Sequence, residues 1–186
     1  MSQNTNRLRP GLLAATLALA TGLSASSAAL AAEQTINGFS SWEGEGNVYQ
    51  TAPDTGTFVG AINGPLFVQT EKGPVAAGNM VCPALLEIDL KNATQVGQGK
   101  CTISHDDGAM VFAEWSCKGV HLVGCDGEFI LTGGTGRMNG ITGRGAVTVR
   151  TITQIAETKV MAGGMKAETA RGILVLDNLT YSLPEQ

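Results

Sequence analysis

The segment from Cys117 to Gly145, CKGVHLVGCDGEFILTGGTGRMNGITGRG, limits what this chain can fold into more than any other. Two cysteines enclose seven residues, strand-forming residues follow, and six glycines then occupy the thirteen positions from Gly133 to Gly145. Cysteines this close in an exported chain staple a hairpin, and glycine at that density marks repeated tight turns. The segment therefore points to antiparallel β-structure, and it contains no signature of a reaction.

Export is itself an expectation from the N-terminus. Arg7 and Arg9 precede the apolar run Gly11–Leu23, no acidic residue occurs before Glu33, and Ala29-Leu30-Ala31 fits the small-x-small cleavage rule. This predicts a signal peptide over residues 1–31 and one domain over 32–186, secreted or periplasmic. The apolar run is shorter than the roughly 18 residues of a membrane span. No cysteine follows it to accept a lipid anchor, so no membrane attachment is expected after cleavage. Removing Arg7 and Arg9 from 12 basic residues leaves 10 against 16 acidic ones, a formal charge of −6. That balance excludes a phosphate-binding surface of the nucleic-acid type, which needs excess Lys and Arg. The remaining 155 of 186 residues are enough to bury one core. Asn92-Ala93-Thr94 and Asn178-Leu179-Thr180 match the N-glycosylation pattern, which matters only in a eukaryotic host.

Glycine, 25 of 186 residues, separates short apolar or alternating runs. Candidate strands are 35–40, 47–51, 57–62, 66–70, 84–90, 100–105, 109–117, 128–132, 146–153 and 172–181, a spacing that reads as a sandwich or barrel. Gln154–Ala170 has helix-forming composition interrupted by Gly163-Gly164 and reads as a long loop or broken helix. Asp106-Asp107-Gly108 suits a three-residue hairpin loop with glycine in the left-handed conformation. That turn puts Cys101, Ile103 and His105 on one face with Val111, Ala113, Trp115 and Cys117. If Cys117 lies opposite Cys125, Trp115 meets Gly127, Ala113 meets Phe129 and Val111 meets Leu131, giving one continuous apolar face. The other face then carries Met110, Phe112, Glu114 and Ser116, with Glu114 opposite Glu128.

The stretch Phe129–Gly145, in which the strand FILT runs into GGTGRMNGITGRG, resembles the allene oxide cyclase and dirigent type of β-barrel. Exported bacterial proteins share the look, including cysteines flanking an aromatic-rich strand. The resemblance implies an all-β, antiparallel, eight-stranded closed barrel with a disulfide-stapled hairpin. Among relatives such barrels are often homotrimeric, with an apolar cavity in the enzymes. The motif is a turn signature and transfers fold rather than activity.

Several constellations have to be weighed for chemistry. Gly134-Thr135-Gly136 lacks the following helix and the Lys-Ser/Thr pair of a nucleotide loop. The four cysteines, Cys82, Cys101, Cys117 and Cys125, are an even number and favour disulfides over zinc, since no Cys-x-x-Cys exists. Hairpin geometry pairs Cys117 with Cys125 and leaves Cys82 with Cys101. A turn at Lys91-Asn92 would set the second pair opposite each other, whereas a tight hairpin over Asn92–Gly97 would set Cys101 against Ile88. His105-Asp106-Asp107 reads as a solvated turn and His121 as a surface residue. Glu114 and Glu128 are the candidate catalytic residues: like charges across a strand pair are unfavourable unless solvated or sharing a proton, and in a lumen one could act as acid or base. Phe112, Trp115 and Phe129 are the candidate ligand-binding residues, depending on which face looks inward.

No metal or cofactor is called for. The leading expectation is an exported barrel that binds a small apolar molecule or a protein partner without catalysis. A cofactor-free cyclase or isomerase using a lumen carboxylate, and a structural or adhesive oligomer subunit, are the alternatives.

Overall fold

The computed structural model describes residues 33–161 and 165–184, with the side chains of 154–168 outside that description. The N-terminal segment 1–31 and Gly163-Gly164 likewise lie outside the described residues. Eight strands, β1 (Glu33–Ala52), β2 (Thr55–Thr70), β3 (Gly73–Asp89), β4 (Thr94–Ser104), β5 (Met110–Val120), β6 (Gly124–Gly134), β7 (Thr142–Met161) and β8 (Met165–Ser182), run up and down in sequence order. Antiparallel pairing of β1 with β8, from Glu33↔Ser182 to Val48↔Lys166, closes the sheet into a barrel. Its lower end carries the start of β1 and the end of β8, the β2–β3 and β4–β5 turns, and a short 3₁₀ turn at Gly136–Met138. The upper end carries the β1–β2, β3–β4 and β5–β6 turns.

The ten short candidate runs become eight longer strands because several glycines taken as punctuation lie inside strands and face the lumen. Runs 35–40 and 47–51 are both β1, and 57–62 and 66–70 are both β2. Gly46 and Gly60, paired across these strands, make room for the Phe58 ring: a Cβ on either would lie about 2.4 Å from it. The same device seats both tryptophans. Trp115 faces Gly99 and Trp42 faces Gly172, and each indole lies over the bare backbone opposite. Gln154–Ala170 is not a loop or helix: its described backbone continues β7 and β8, which pair with each other there. Its helix-forming composition is overridden by the ladder, since strand preference depends on pairing context.

The Asp106-Asp107-Gly108 loop forms as its residues require. Gly108 has φ +83°, its amide donates to the His105 carbonyl at 3.0 Å, and His105 N–H donates to Ala109 at 2.9 Å. The next hairpin departs from expectation by two residues. Cys117 pairs with Gly127 and Cys125 with Gly119, so Trp115 meets Phe129 and Ala113 meets Leu131, with a bulge beyond. The disulfide Cys117–Cys125 therefore runs diagonally, its Cα atoms 5.5 Å apart, because each cysteine faces a glycine that leaves its sulfur free to cross. A shift of two preserves which side chains face inward, so the apolar face survives the correction. Cys82–Cys101 bridges β3 and β4 with Cα atoms 4.1 Å apart, across a turn at residues 90–93 in which Asn92 donates to the Asp89 carboxylate from its backbone at 2.9 Å and its side chain at 2.7 Å.

At mid-height the lumen is filled. Met80, Phe129 and Leu174 are inaccessible to solvent, with Val147, Leu176 and Cys82 packed beside them. Burying side chains of this size contributes about 1.5–3 kcal/mol each. The glycine seats are as necessary as the bulky residues. In Gly99→Ala the new Cβ would lie 2.5 Å from the Pro83 carbonyl and 2.6 Å from Trp115 Nε1. Overpacking against backbone should cost about 1–3 kcal/mol, read as a lower urea midpoint and altered near-ultraviolet dichroism. An unchanged midpoint would refute this seating of Trp115.

Candidate functional site

Because the middle of the lumen is solid, usable space lies at the two ends. The lower end holds a cavity of about 380 Å³, walled by Ile36, Leu66, Ile103, Val111, Leu131 and Leu179 and roofed by Arg137, Met138 and Ile141. The upper end holds a recess of about 90 Å³ beneath Trp42, Trp115, Phe58 and Ile88. Both indole N–H groups are buried without a partner. The Trp115 nitrogen lies over Gly99 while the benzo edge lies over Gly97, nearer the upper mouth.

The lower cavity is built by three segments. The Gly-Gly-Thr-Gly-Arg turn, 133–137, docks on the β4–β5 hairpin: Thr135 N–H donates to the Met110 carbonyl at 2.8 Å, and Met110 N–H donates to Thr135 Oγ1 at 3.1 Å. Gly136 has φ +59°, which starts the 3₁₀ turn and aims Arg137 at Asp107, with which it forms an ion pair through Nε. The Ala109 amide and the Arg137 guanidinium hold the Asp107 carboxyl below its ordinary range. On β8, Tyr181 at the cavity wall donates its hydroxyl to Gln34 Oε1 at 2.7 Å.

His105 closes one side. Burial pushes its pKa below the ordinary 6.5, Arg137 pushes the same way, and Asp107, Asp106 and a bond to the Ala77 backbone pull against them. Its Nε2 is sealed from solvent and has no partner, so adding a proton there is unfavourable. The imidazole is therefore neutral at neutral pH.

The sequence candidates divide by face. Trp115 and Phe129 point into the lumen, the first under the upper recess and the second in the packed middle. Phe112, Glu114 and Glu128 are on the outer wall. Glu114 is paired with Ile130 and Glu128 with Ser116, so the expected Glu114–Glu128 opposition does not occur; the two-residue register shift removes it. Lys100 Nζ lies 2.9 Å from Glu114, and its pKa is raised by that hydrogen bond. Arg144 lies 3.5 Å from Glu128. The two glutamates border an open outer groove of about 680 Å³ with Val59, Leu85 and Ile130. Arg150 bonds Asp126 instead of either glutamate. His121 donates its backbone N–H to Ala93 at 2.9 Å, and its Nδ1 lies 3.2 Å from Gln95 Oε1.

Sequence reasoning missed His105, Arg137 and Tyr181 as neighbours. The one available signal was the parity that set His105 on the lumen face. No protein-family model and no curated protein matches the chain. Among solved structures it is similar to a pterocarpan synthase dirigent protein, at 12% identity and a TM-score of 0.34, over 88% of this chain and 99% of that one.

The His105 environment fixes a sign. The unfolded chain takes up its proton near pH 6.5 and the folded chain only at lower pH. Stability is full above that window and falls as pH drops through it, because the unfolded state binds more protons there. The urea midpoint should decline between about pH 7 and 5, and His105→Gln should flatten that decline. An identical decline in the variant would show that His105 is not its source. The depressed carboxyls of Asp89, Asp107 and Asp126 act in a separate window, below their ordinary 3.8.

Proposed function

We propose that this barrel is a binding protein that holds one small, largely apolar molecule in its lower cavity and does no chemistry on it. The carrying observation is the cavity itself: about 380 Å³, inside the range of roughly 300–1,000 Å³ typical of small-molecule sites. Its lining is mostly aliphatic, with a neutral imidazole, a tyrosine and the Asp107-paired Arg137 as the polar groups that would orient a ligand. The resemblance of Phe129–Gly145 to the allene oxide cyclase and dirigent type supports the reading at the level of architecture. The cyclase alternative depended on a lumen carboxylate, and neither Glu114 nor Glu128 faces the lumen.

Titration with Nile red, followed by its blue shift, tests the cavity. Ala77→Phe, which adds a ring at the cavity wall, should weaken binding by about tenfold or more, equivalent to roughly 1.4 kcal/mol. Ala84→Phe, at the upper recess, should not. The reverse pattern would move the site to the upper end, and no binding by the parent protein would remove the proposal.

We further infer that the chain is exported and cleaved after Ala31. The support is the N-terminal pattern together with two disulfides and no free cysteine among the described residues, a state suited to an oxidising compartment. Intact mass before and after alkylation should show a chain beginning near Ala32 with no reactive thiol. A product retaining Arg7, or one alkylated without prior reduction, contradicts the inference.

A further inference from the structure

At the upper end β7 rises past the strand beside it. Its ladder with β6 ends at Gly124↔Arg150, and the last bond across is from Thr151 N–H to the Val123 carbonyl at 3.0 Å. Beyond it, positions 152–161 are backed by β8 on one side, with pairs from Gln154↔Ala170 to Met161↔Met165. On the other side no strand pairs with them among the described residues. β8 is in turn paired with β1 as far as Val48↔Lys166, so this edge belongs to a sheet three strands deep. The β8 ladder shifts register between Glu157 and Met161, so the chain's own pairing is interrupted where the edge is free. Backbone N–H and C=O groups along such an edge form a template for another strand.

β3 carries the guards that this edge lacks. It also outruns a neighbour: its ladder with β4 stops at Asn79↔Ser104 and leaves 73–78 without a β4 partner. That stretch contains Pro74, ends in Gly78 at φ +147°, and has the Ala77 backbone bonded by His105. Proline, an irregular glycine and a covering side chain are ways in which natural sheets blunt an edge. Positions 152–161, ITQIAETKVM, contain no proline and no glycine.

The charges on this stretch indicate the partner. Glu157 and Lys159 are of opposite sign and stand on either side of Thr158. A two-fold axis through an antiparallel ladder pairs residues symmetrically about one central residue. Centred on Thr158, that register sets Glu157 of each copy opposite Lys159 of the other, Ala156 opposite Val160 and Ile155 opposite Met161. A ladder centred on Glu157 or on Lys159 sets like charge against like, and so does a parallel in-register stack, which is unfavourable. The two charges therefore select one closed antiparallel partner, the same strand of a second copy. The paired stretch begins four residues above Thr151, roughly 13 Å along the strand, and the two barrels leave it at opposite ends.

We propose that the upper edge of β7 is a self-association site: residues 155–161 of two copies pair antiparallel about Thr158, so that β-sheet runs from one barrel into the other. This contact is separate from the lower cavity and does not depend on a ligand there.

Sedimentation equilibrium tests it. The parent chain should form a dimer that dissociates on dilution. Glu157→Lys and Lys159→Glu each place like charges opposite one another at both symmetry-related pairs, and each should raise the dissociation constant about tenfold or more. An equimolar mixture of the two variants restores opposite charges at both pairs and should give a heterodimer. The double variant carrying both substitutions should dimerise as the parent does. A general loss of stability would not be rescued by mixing. Comparing chains with the same N-terminus, checked by intact mass, cancels any contribution of the run Gly11–Leu23. A monomeric parent overturns the proposal, as does an assembly that both single variants leave intact, or single variants that stay apart when mixed.

Discussion

An eight-stranded barrel encloses a bore just wide enough for side chains to fill, and the arrangement of this chain follows from how that bore is occupied. The large groups, Trp42, Trp115, Phe58, Phe129 and Met80, exceed what uniform packing would admit. They are accommodated because the position across from several of them is glycine, so bulk on one strand is matched by bare backbone on the next. Filling the centre this way leaves free volume only where strands end. Both cavities are therefore terminal, and any ligand would meet the ends of strands and the turns that join them.

The same pairing of bulk with bare backbone explains what could and could not be seen in advance. The all-β class, the Asp106-Asp107-Gly108 hairpin and the inward parity of Cys101, Ile103, Val111, Ala113, Trp115 and Cys117 were legible, because each depends on local turn chemistry or a period of two. The β5–β6 register was not. A disulfide can cross diagonally when both of its facing partners are glycines, so the spacing of Cys117 and Cys125 fits two registers of equal parity. The choice between them decides whether Glu114 confronts Glu128 or sits against Ile130. Glycines inside β1 and β2 were indistinguishable from turn glycines, since their reason for being glycine lies on another strand.

The candidate site was less legible for a related reason. His105 and Arg137 are separated by the whole β5–β6 hairpin, and they become neighbours only because the Gly-Gly-Thr-Gly-Arg turn folds back onto the β4–β5 loop. The motif that suggested the architecture is thus also the roof of the lower cavity. Its glycines shape the turn, its threonine bonds the adjacent strand, and its arginine fixes the roof to Asp107. Each of these acts through geometry and leaves no chemical signature in the sequence.

The closure of the sheet has a kinetic meaning as well. Glu33 pairs with Ser182, so the first strand finds its second neighbour only when the last one exists. A ladder joining the two ends of a domain has the largest loop to close, and topologies dominated by distant pairings fold slowly. The hairpins from β1 to β6 can form as the chain is made, but until β8 arrives they remain an open sheet with β1 exposed at one edge. A growing or threading chain therefore stays incomplete, and the barrel is committed only after its C-terminal strand is free to move.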